Sequence, residues 1–284
     1  MRVLVLGASG LIGNAIFKIL SISKDISVSG TFLNSDKKKF KFNDQMILIN
    51  LMDHKKTKTL INKLYPDIVI NCCGITKHHK LFSDSEKTIY LNSILPHKLR
   101  KICIKNKIRL IQISTDCVFK GNKGNYHETD DCDAYDFYGK SKSLGEICSD
   151  SMLTIRTSTI GHEIETKYGL LEWFLLQKNE CLGFEKAFFS GLTSLEFAKI
   201  IKDFILPNEK LNGIIHIGGQ IISKYDLLKI INKVYNKNII IERENKFILN
   251  RSLNSEKFYK FSGYKPKSWD TLINELYQTY NTRT

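Results

Sequence analysis

The stretch that most constrains the fold lies at the N-terminus. Val3, Leu4, Val5 and Leu6 form an unbroken apolar run, Gly7, Gly10 and Gly13 follow at three-residue spacing, and Leu11, Ile12, Ala15, Ile16, Ile19 and Leu20 recur with helical period. An apolar run without polar alternation reads as a strand buried on both faces, the kind found in parallel sheets. The order is therefore strand, tight glycine turn, helix. The N–H groups that open such a helix have no partners within it, and the helix dipole favours negative charge there. The pyrophosphate of a dinucleotide suits that geometry. The spacing is G-x-x-G-x-x-G rather than the commoner G-x-G-x-x-G, so the flanking strand and helix carry the argument more than the glycines do.

The alternation continues down the chain. Ile26 to Phe32 reads as a second strand, Met46 to Asn50 as a third, Ile68 to Asn71 as a fourth and Arg109 to Ser114 as a fifth. Helical patterns lie between them around Leu60, Ile61 and Leu64 and from Tyr90 to Asn106. This spacing predicts an α/β fold, a Rossmann-type doubly wound parallel sheet. Later strands near residues 153–158 and 213–217 are expected to rejoin it. The expected division is a dinucleotide-binding domain over residues 1–160 and a smaller, mainly C-terminal substrate-binding domain over 161–284, interleaved with the first. Ligands in such sheets bind beyond the carboxyl ends of the strands. Gly7, the small residues Cys72, Cys73 and Gly74, and Ser114-Thr115-Asp116 all fall there. The segment 160–191 reads as loop and helix, and most of its aromatics (Trp173, Phe174, Phe184, Phe188, Phe189) read as core. Thr193 and Ser223 each stand three residues before an acid, the spacing of a helix cap.

Composition narrows the classes. The apolar runs are too short to span a bilayer, and the N-terminal one lacks the layout of a signal peptide, so a cytoplasmic protein with no membrane partner is expected. The seven cysteines are odd in number and contain no C-x-x-C pair, and His78, His79, His127 and His162 show no metal spacing. Reduced thiols are expected, with neither a metal site nor a disulfide framework. The net charge of +14 comes from scattered lysines, Lys37–Lys39 being the tight run, so no nucleic-acid partner is expected. A basic field of that size would still help to gather an anionic cofactor and a nucleotide-diphosphate substrate.

Two features bear on cofactor and chemistry. A fold selective for NAD usually ends its second strand in Asp or Glu. Here Gly30-Thr31-Phe32-Leu33-Asn34 has no acid, and Ser35 and Lys37–Lys39 follow, so NADP(H) is favoured over NAD(H). Further on, Tyr138 and Lys142 are four apart and share a helix face. A cation beside a phenol favours the phenolate and lowers its pKa, which makes Tyr138 a candidate general acid or base.

These stretches, GASGLIG (Gly7–Gly13), INCCG (Ile70–Gly74), LNSILPHKL (Leu91–Leu99), ISTDCVFKG (Ile113–Gly121), YHETD (Tyr126–Asp130), YGKSKSLGE (Tyr138–Glu146), LTIRTS (Leu153–Ser158) and RSLNS (Arg251–Ser255), follow one another in an order that resembles the extended short-chain dehydrogenase/reductase superfamily. Within it the chain looks like the dTDP-4-dehydrorhamnose reductases and related nucleotide-sugar 4-keto reductases. The resemblance implies that Tyr138 donates a proton, that Lys142 holds the cofactor ribose, and that Thr115 hydrogen-bonds the reacting oxygen, with Asp116 or Ser114 helping at the sugar. Gly10, Leu11 and Ile12 would lie at the pyrophosphate, Asn50-Leu51 beside the adenine and Cys72-Cys73-Gly74 beside the nicotinamide, with Thr31 and Asn92 completing the cofactor set. Arg251 would either reach a nucleotide phosphate or tie down the domain.

The implied activity is NAD(P)H-dependent reduction of a 4-keto-6-deoxy nucleotide sugar, with hydride delivered to C4, in deoxysugar or surface polysaccharide biosynthesis. The rhamnose enzymes typically carry a Trp where Thr159 stands and a Glu, tied to a metal-bridged dimer, where Ala15 stands. A reductase for another 4-keto-6-deoxy or acetamido sugar fits as well, and a homodimer is left open. An epimerase or dehydratase on the same fold is an alternative, although Cys117 occupies the place of the Glu that a dehydratase needs. A non-catalytic NADP-binding regulatory subunit is another.

Overall fold

The computed structural model describes residues 1–33, 45–77, 79–149, 152–164 and 166–281. Asn34, Ser35 and Lys37–Lys39, which bear on the preference for NADP, lie outside these residues, as does His78.

Strand β1 (Arg2–Leu6) is buried from Val3 onward, and its side chains alternate between two cores, Val3 and Val5 on one face of the sheet, Leu4 and Leu6 on the other. Each fully buried side chain of this size contributes about 1.5–3 kcal/mol. Helix α1 (Leu11–Ser21) buries Ile16, Phe17 and Leu20. β2 (Ser27–Phe32) and β3 (Met46–Leu48) extend the sheet to one side. Helix α2 (His54–Leu64) starts on Asp53, whose carboxylate accepts from Lys56 N at 3.0 Å. β4 (Ile68–Asn71) then pairs with β1 on its other side. A short helix α3 (Ser85–Ile89), a π-helical turn (Tyr90–Ile94) and helix α4 (Leu95–Lys105) lead to β5 (Arg109–Thr115). Helix α5 (Phe137–Ser143) precedes β6 (Met152–Thr157).

The second half contributes β7 (Thr159–Ile160), α6 (Leu170–Leu176), β8 (Glu180–Phe184), β9 (Ala187–Phe189), β10 (Leu192–Thr193), α7 (Ser194–Ile200) and β11 (Gly213–His216), then β12 (Ile222–Ser223), α8 (Lys224–Val234), β13 (Ile240–Glu244), β14 (Leu249–Asn250), α9 (Glu256–Ser262) and α10 (Trp269–Asn281). Thr193 and Ser223 cap α7 and α8 as their spacing indicated, accepting from Glu196 N and Asp226 N.

The main sheet has seven parallel strands in the order β11-β6-β5-β4-β1-β2-β3. This is the doubly wound arrangement, and the strand order reverses between β1 and β4, which places the ligand crevice beside Gly7 and Cys72–Gly74. No helix among the described residues is long and apolar enough to cross a membrane.

The segment 160–191 differs from its sequence reading, since it holds two strands besides α6. β8 pairs with β13, and β9 sits between β12 and β14. Their partners come from far downstream, so no local pattern marks them. Phe174 and Phe189 are core, whereas Trp173 and Phe188 are more than a third exposed.

Candidate active site

The glycine turn brings three backbones together. Gly7 has φ +75°, a conformation that side chains resist, and a Cβ there would stand 3.1 Å from the Cys73 backbone. A Cβ on Gly13 would stand 2.2 Å from the Gly7 carbonyl oxygen, so the start of α1 can approach β1 only without a side chain. Thr31 fixes the turn from β2. Its hydroxyl accepts from Gly7 N at 3.0 Å and its carbonyl from Ala8 N at 2.8 Å.

Gly10 opens α1 with no side-chain cap, and the first turn carries no acid. A Cβ on Gly10 would meet only the Gly7 oxygen, at 3.5 Å. The helix therefore presents unopposed N–H groups and its positive end to an open place flanked by Leu11 and Ile12. A dinucleotide pyrophosphate fits there on charge and on space. Asn50 and Leu51 stand beyond β3, two strands away, where the Asn50 side chain accepts from Met52 N at 3.0 Å.

At the end of β4, Cys72 N donates to Leu6 O at 3.0 Å and carries the pairing one residue past the strand. Burial pushes both thiols up, that of Cys73 to about 11, so this floor of the crevice is uncharged. Asn92 sits within the π-helical turn. Its Oδ1 accepts from Ile75 N (2.8 Å), and its Nδ2 donates to Ile75 O (3.0 Å) and Ser141 Oγ (3.0 Å). Its amide thus ties the loop after β4 to α5.

Helix α5 carries Tyr138 and Lys142, with Asp136 as its cap. Lys142 is buried and donates to Ile113 O at 2.9 Å. Burial lowers its pKa, while the Glu146 carboxylate acts in the opposite sense. Tyr138 is half-buried, and the Thr115 hydroxyl lies in hydrogen-bonding reach of its phenol. The sequence reading has Lys142 drawing this phenol down, and the structure corrects that. Burial raises the Tyr138 pKa strongly, Cys117, Asp116 and Asp136 raise it further, and Thr115 opposes them. Thr115 itself donates to Asp116 Oδ1 (3.1 Å) and accepts from Cys117 N (3.1 Å). Asp116 is buried with its pKa raised, mainly by desolvation, against the pull of Arg251. Arg251 reaches Cys117 Sγ at 3.3 Å and Asp136 at 3.4 Å.

Behind these groups lies a buried network that the sequence reading missed. Glu146 receives Arg156 in two parallel bonds (Nε to Oε1 2.9 Å, Nη2 to Oε2 2.7 Å) and Ser114 Oγ at 2.6 Å. Arg156 also reaches His216 Nε2 at 3.2 Å, and His216 Nδ1 lies 3.0 Å from Tyr126 O. A guanidinium only donates and a carbonyl only accepts, so His216 is neutral with its proton on Nδ1. The four-residue step from Lys142 to Glu146 was visible in the sequence. Nothing local joins Glu146 to Arg156 or to His216.

Burial, helped by Arg156, takes the His216 pKa from the usual 6.5 down to about 3. The unfolded chain therefore takes up this proton first, and stability falls as the pH drops below 6.5 toward 3. Between pH 7 and pH 5 this group is expected to remove about 2 kcal/mol of unfolding free energy. Urea titrations at both pH values should show a clearly smaller loss in His216→Gln, and an equal loss would refute the assignment.

A seven-strand parallel sheet with a glycine turn at its switch point and Tyr and Lys four apart beside Thr115 defines the extended short-chain dehydrogenase/reductase class. More narrowly, the chain belongs to the RmlD substrate binding domain family, whose sequence model matches residues 1–169. A Haloferax volcanii protein named "Probable low-salt glycan biosynthesis reductase Agl14" is 29% identical over 147 residues, 51% of this chain and 48% of that one. The methionine adenosyltransferase 2 subunit beta of Danio rerio is 31% identical over 145 residues, 51% of this chain and 42% of that one. The chain thus spans about half the length of the curated relatives it matches. The crystal structure of a hypothetical dTDP-4-dehydrorhamnose reductase from Sulfolobus tokodaii superposes with a TM-score of 0.80 at 26% identity, covering 95% of this chain and 98% of that one.

Proposed function

We propose that the chain is a nicotinamide-dependent reductase of a 4-keto-6-deoxy nucleotide sugar, acting at C4, in deoxysugar or polysaccharide biosynthesis. The observation that carries this is the convergence of Tyr138, Thr115 and Lys142 at the sheet edge next to the open helix start at Gly10. The reduced nicotinamide, when bound, supplies the hydride. The N–H groups of Leu11 and Ile12 hold the pyrophosphate, and Cys72–Gly74 form a neutral floor beside the nicotinamide. Lys142 orients the ribose. Thr115 turns its hydroxyl from Asp116 to the substrate carbonyl oxygen, and Tyr138 Oη gives that oxygen its proton as the alkoxide develops. Asp116 and Arg251 contact the substrate. The preference for NADP is part of the proposal and rests on the lack of an acid from Gly30 to Asn34.

The test is oxidation of NADPH, and separately of NADH, followed at the reduced-nicotinamide absorbance with a panel of 4-keto-6-deoxy sugar nucleotides. Turnover with one member identifies the sugar. The methionine adenosyltransferase beta relatives favour a second reading, a nucleotide-binding partner subunit. Tight NADPH binding with no turnover across the panel would move the weight there.

A further inference from the structure

One face of the sheet carries a basic groove that the proposed hydride transfer does not use. Helices α2 and α4 lie side by side there, and Ile61 from α2 packs into one core with Leu99 and Ile102 from α4. Neither helix contains an acidic residue. Between them runs a groove of about 220 Å³, lined by His54, Lys58 and Asn62 on one side and by Lys101, Lys105 and Asn106 on the other, together with buried Ile102. Asn106 Nδ2 donates to Asn62 Oδ1 at 3.2 Å and to Ile102 O at 2.8 Å, which closes one end of the groove. Asn106 stands just before β5, so the closed end lies at the amino edge of the sheet, opposite the edge that carries Gly7 and Thr115.

The basic groups face each other in pairs. His54 and Lys58 are four apart on α2, Lys101 and Lys105 are four apart on α4, and residues at that spacing share a helix face. Like charges so placed destabilise a helix, and soluble surfaces ordinarily intersperse both signs. Among the described residues none of the three lysines makes a hydrogen bond or an ion pair. His54 adds a ring nitrogen, Nδ1, that is buried with no partner. Buried polar atoms are nearly always satisfied, and an anion oxygen is a partner for this one when it carries the proton. Three ammonium groups along one groove repel one another until an anion of comparable charge enters it.

We propose that the groove between α2 and α4 is a second anion site, which takes a diphosphate group. It stands apart from the cofactor and is independent of the reductase reading. Size and charge set the ligand class. A water molecule in the liquid occupies about 30 Å³, so a groove of about 220 Å³ admits a short phosphate chain and leaves any attached nucleoside outside. Two linked phosphates match three ammonium groups in charge, and lysines act as point charges on flexible stems that can follow such a chain.

The test is calorimetric binding of inorganic pyrophosphate, orthophosphate and dTDP to the full chain in the presence of NADP+, at low ionic strength, where exposed charges are screened least. Pyrophosphate should bind more tightly than orthophosphate. The double variant Lys101→Gln, Lys105→Gln is expected to weaken it by about tenfold or more. Lys210→Gln, which removes an equal charge from an exposed position elsewhere, should leave it unchanged, as should the double variant Lys101→Arg, Lys105→Arg. NADPH affinity should be the same in all of them. If dTDP binds as tightly as pyrophosphate and is weakened by the same variant, the diphosphate comes on a nucleotide; if it binds more weakly, the site takes free pyrophosphate. No binding of pyrophosphate, equal affinities in wild type and the Gln double variant, or an equal loss in Lys210→Gln would overturn the proposal. So would tighter binding of a single-stranded RNA that displaces pyrophosphate, since the groove would then be part of a nucleic-acid surface.

Discussion

Tyr138→Phe is expected to lower kcat by about 10²–10⁴-fold while leaving the dissociation constant for NADPH within a few-fold of wild type. The substitution removes one oxygen and keeps the ring. In the proposed mechanism the phenol beside Thr115 gives its proton to the reacting oxygen. Its raised pKa bears on the direction of catalysis, since burial and the neighbouring acids keep it protonated through the neutral range. A proton donor needs that state. The rate should therefore hold across neutral pH and decline only when the phenol ionises. Stopped-flow traces of NADPH oxidation with the sugar identified in the panel would measure both effects. A variant that retains more than a tenth of wild-type turnover would remove Tyr138 from the mechanism.

Arg156→Met is expected to lower the free energy of unfolding by about 3–5 kcal/mol. Arg156 and Glu146 are both almost fully inaccessible, with 3% and 6% of their side chains exposed. Removing one partner leaves the other charge buried without a counter-ion, which costs more than the pair itself contributes. The double variant Arg156→Met, Glu146→Leu should recover part of the loss, because no lone charge remains. Urea unfolding of wild type, both single variants and the double variant forms a complete cycle. A single-variant loss under 1 kcal/mol would mean that water or a shifted side chain compensates the charge. The effect should reach turnover too. Glu146 holds Ser114, the residue before Thr115, and its negative charge supports the protonated form of Lys142.

The sheet and its switch point were legible because their signals are local. The run Val3–Leu6, the glycine spacing and the period of α1 lie within twenty residues, and the helix face shared by Tyr138 and Lys142 spans one turn. What the sequence hides are relations across distance. Glu146, Arg156 and His216 come from three separate segments and meet only once β11 lies beside β6. Strands β8 and β9 escape notice for the same reason. The Tyr138 pKa shows a different limit. Spacing marks Lys142 as a neighbour, but its hydrogen bond goes to Ile113 and the larger effect is burial, which no pairwise pattern encodes.

The position of β11 has a consequence for how the protein is made. Until residues 213–216 have left the ribosome, β6 is the open rim of a parallel sheet, and the nascent chain carries an unpaired row of backbone donors and acceptors of the kind that invites association with other chains. A fragment cut near residue 169 would contain the glycine turn, Tyr138 and Lys142, yet it would keep that rim exposed and leave Arg156 without His216. The N-terminal half is thus a poor autonomous unit, and β6 with its Arg156 is secured only when β11 pairs beside it.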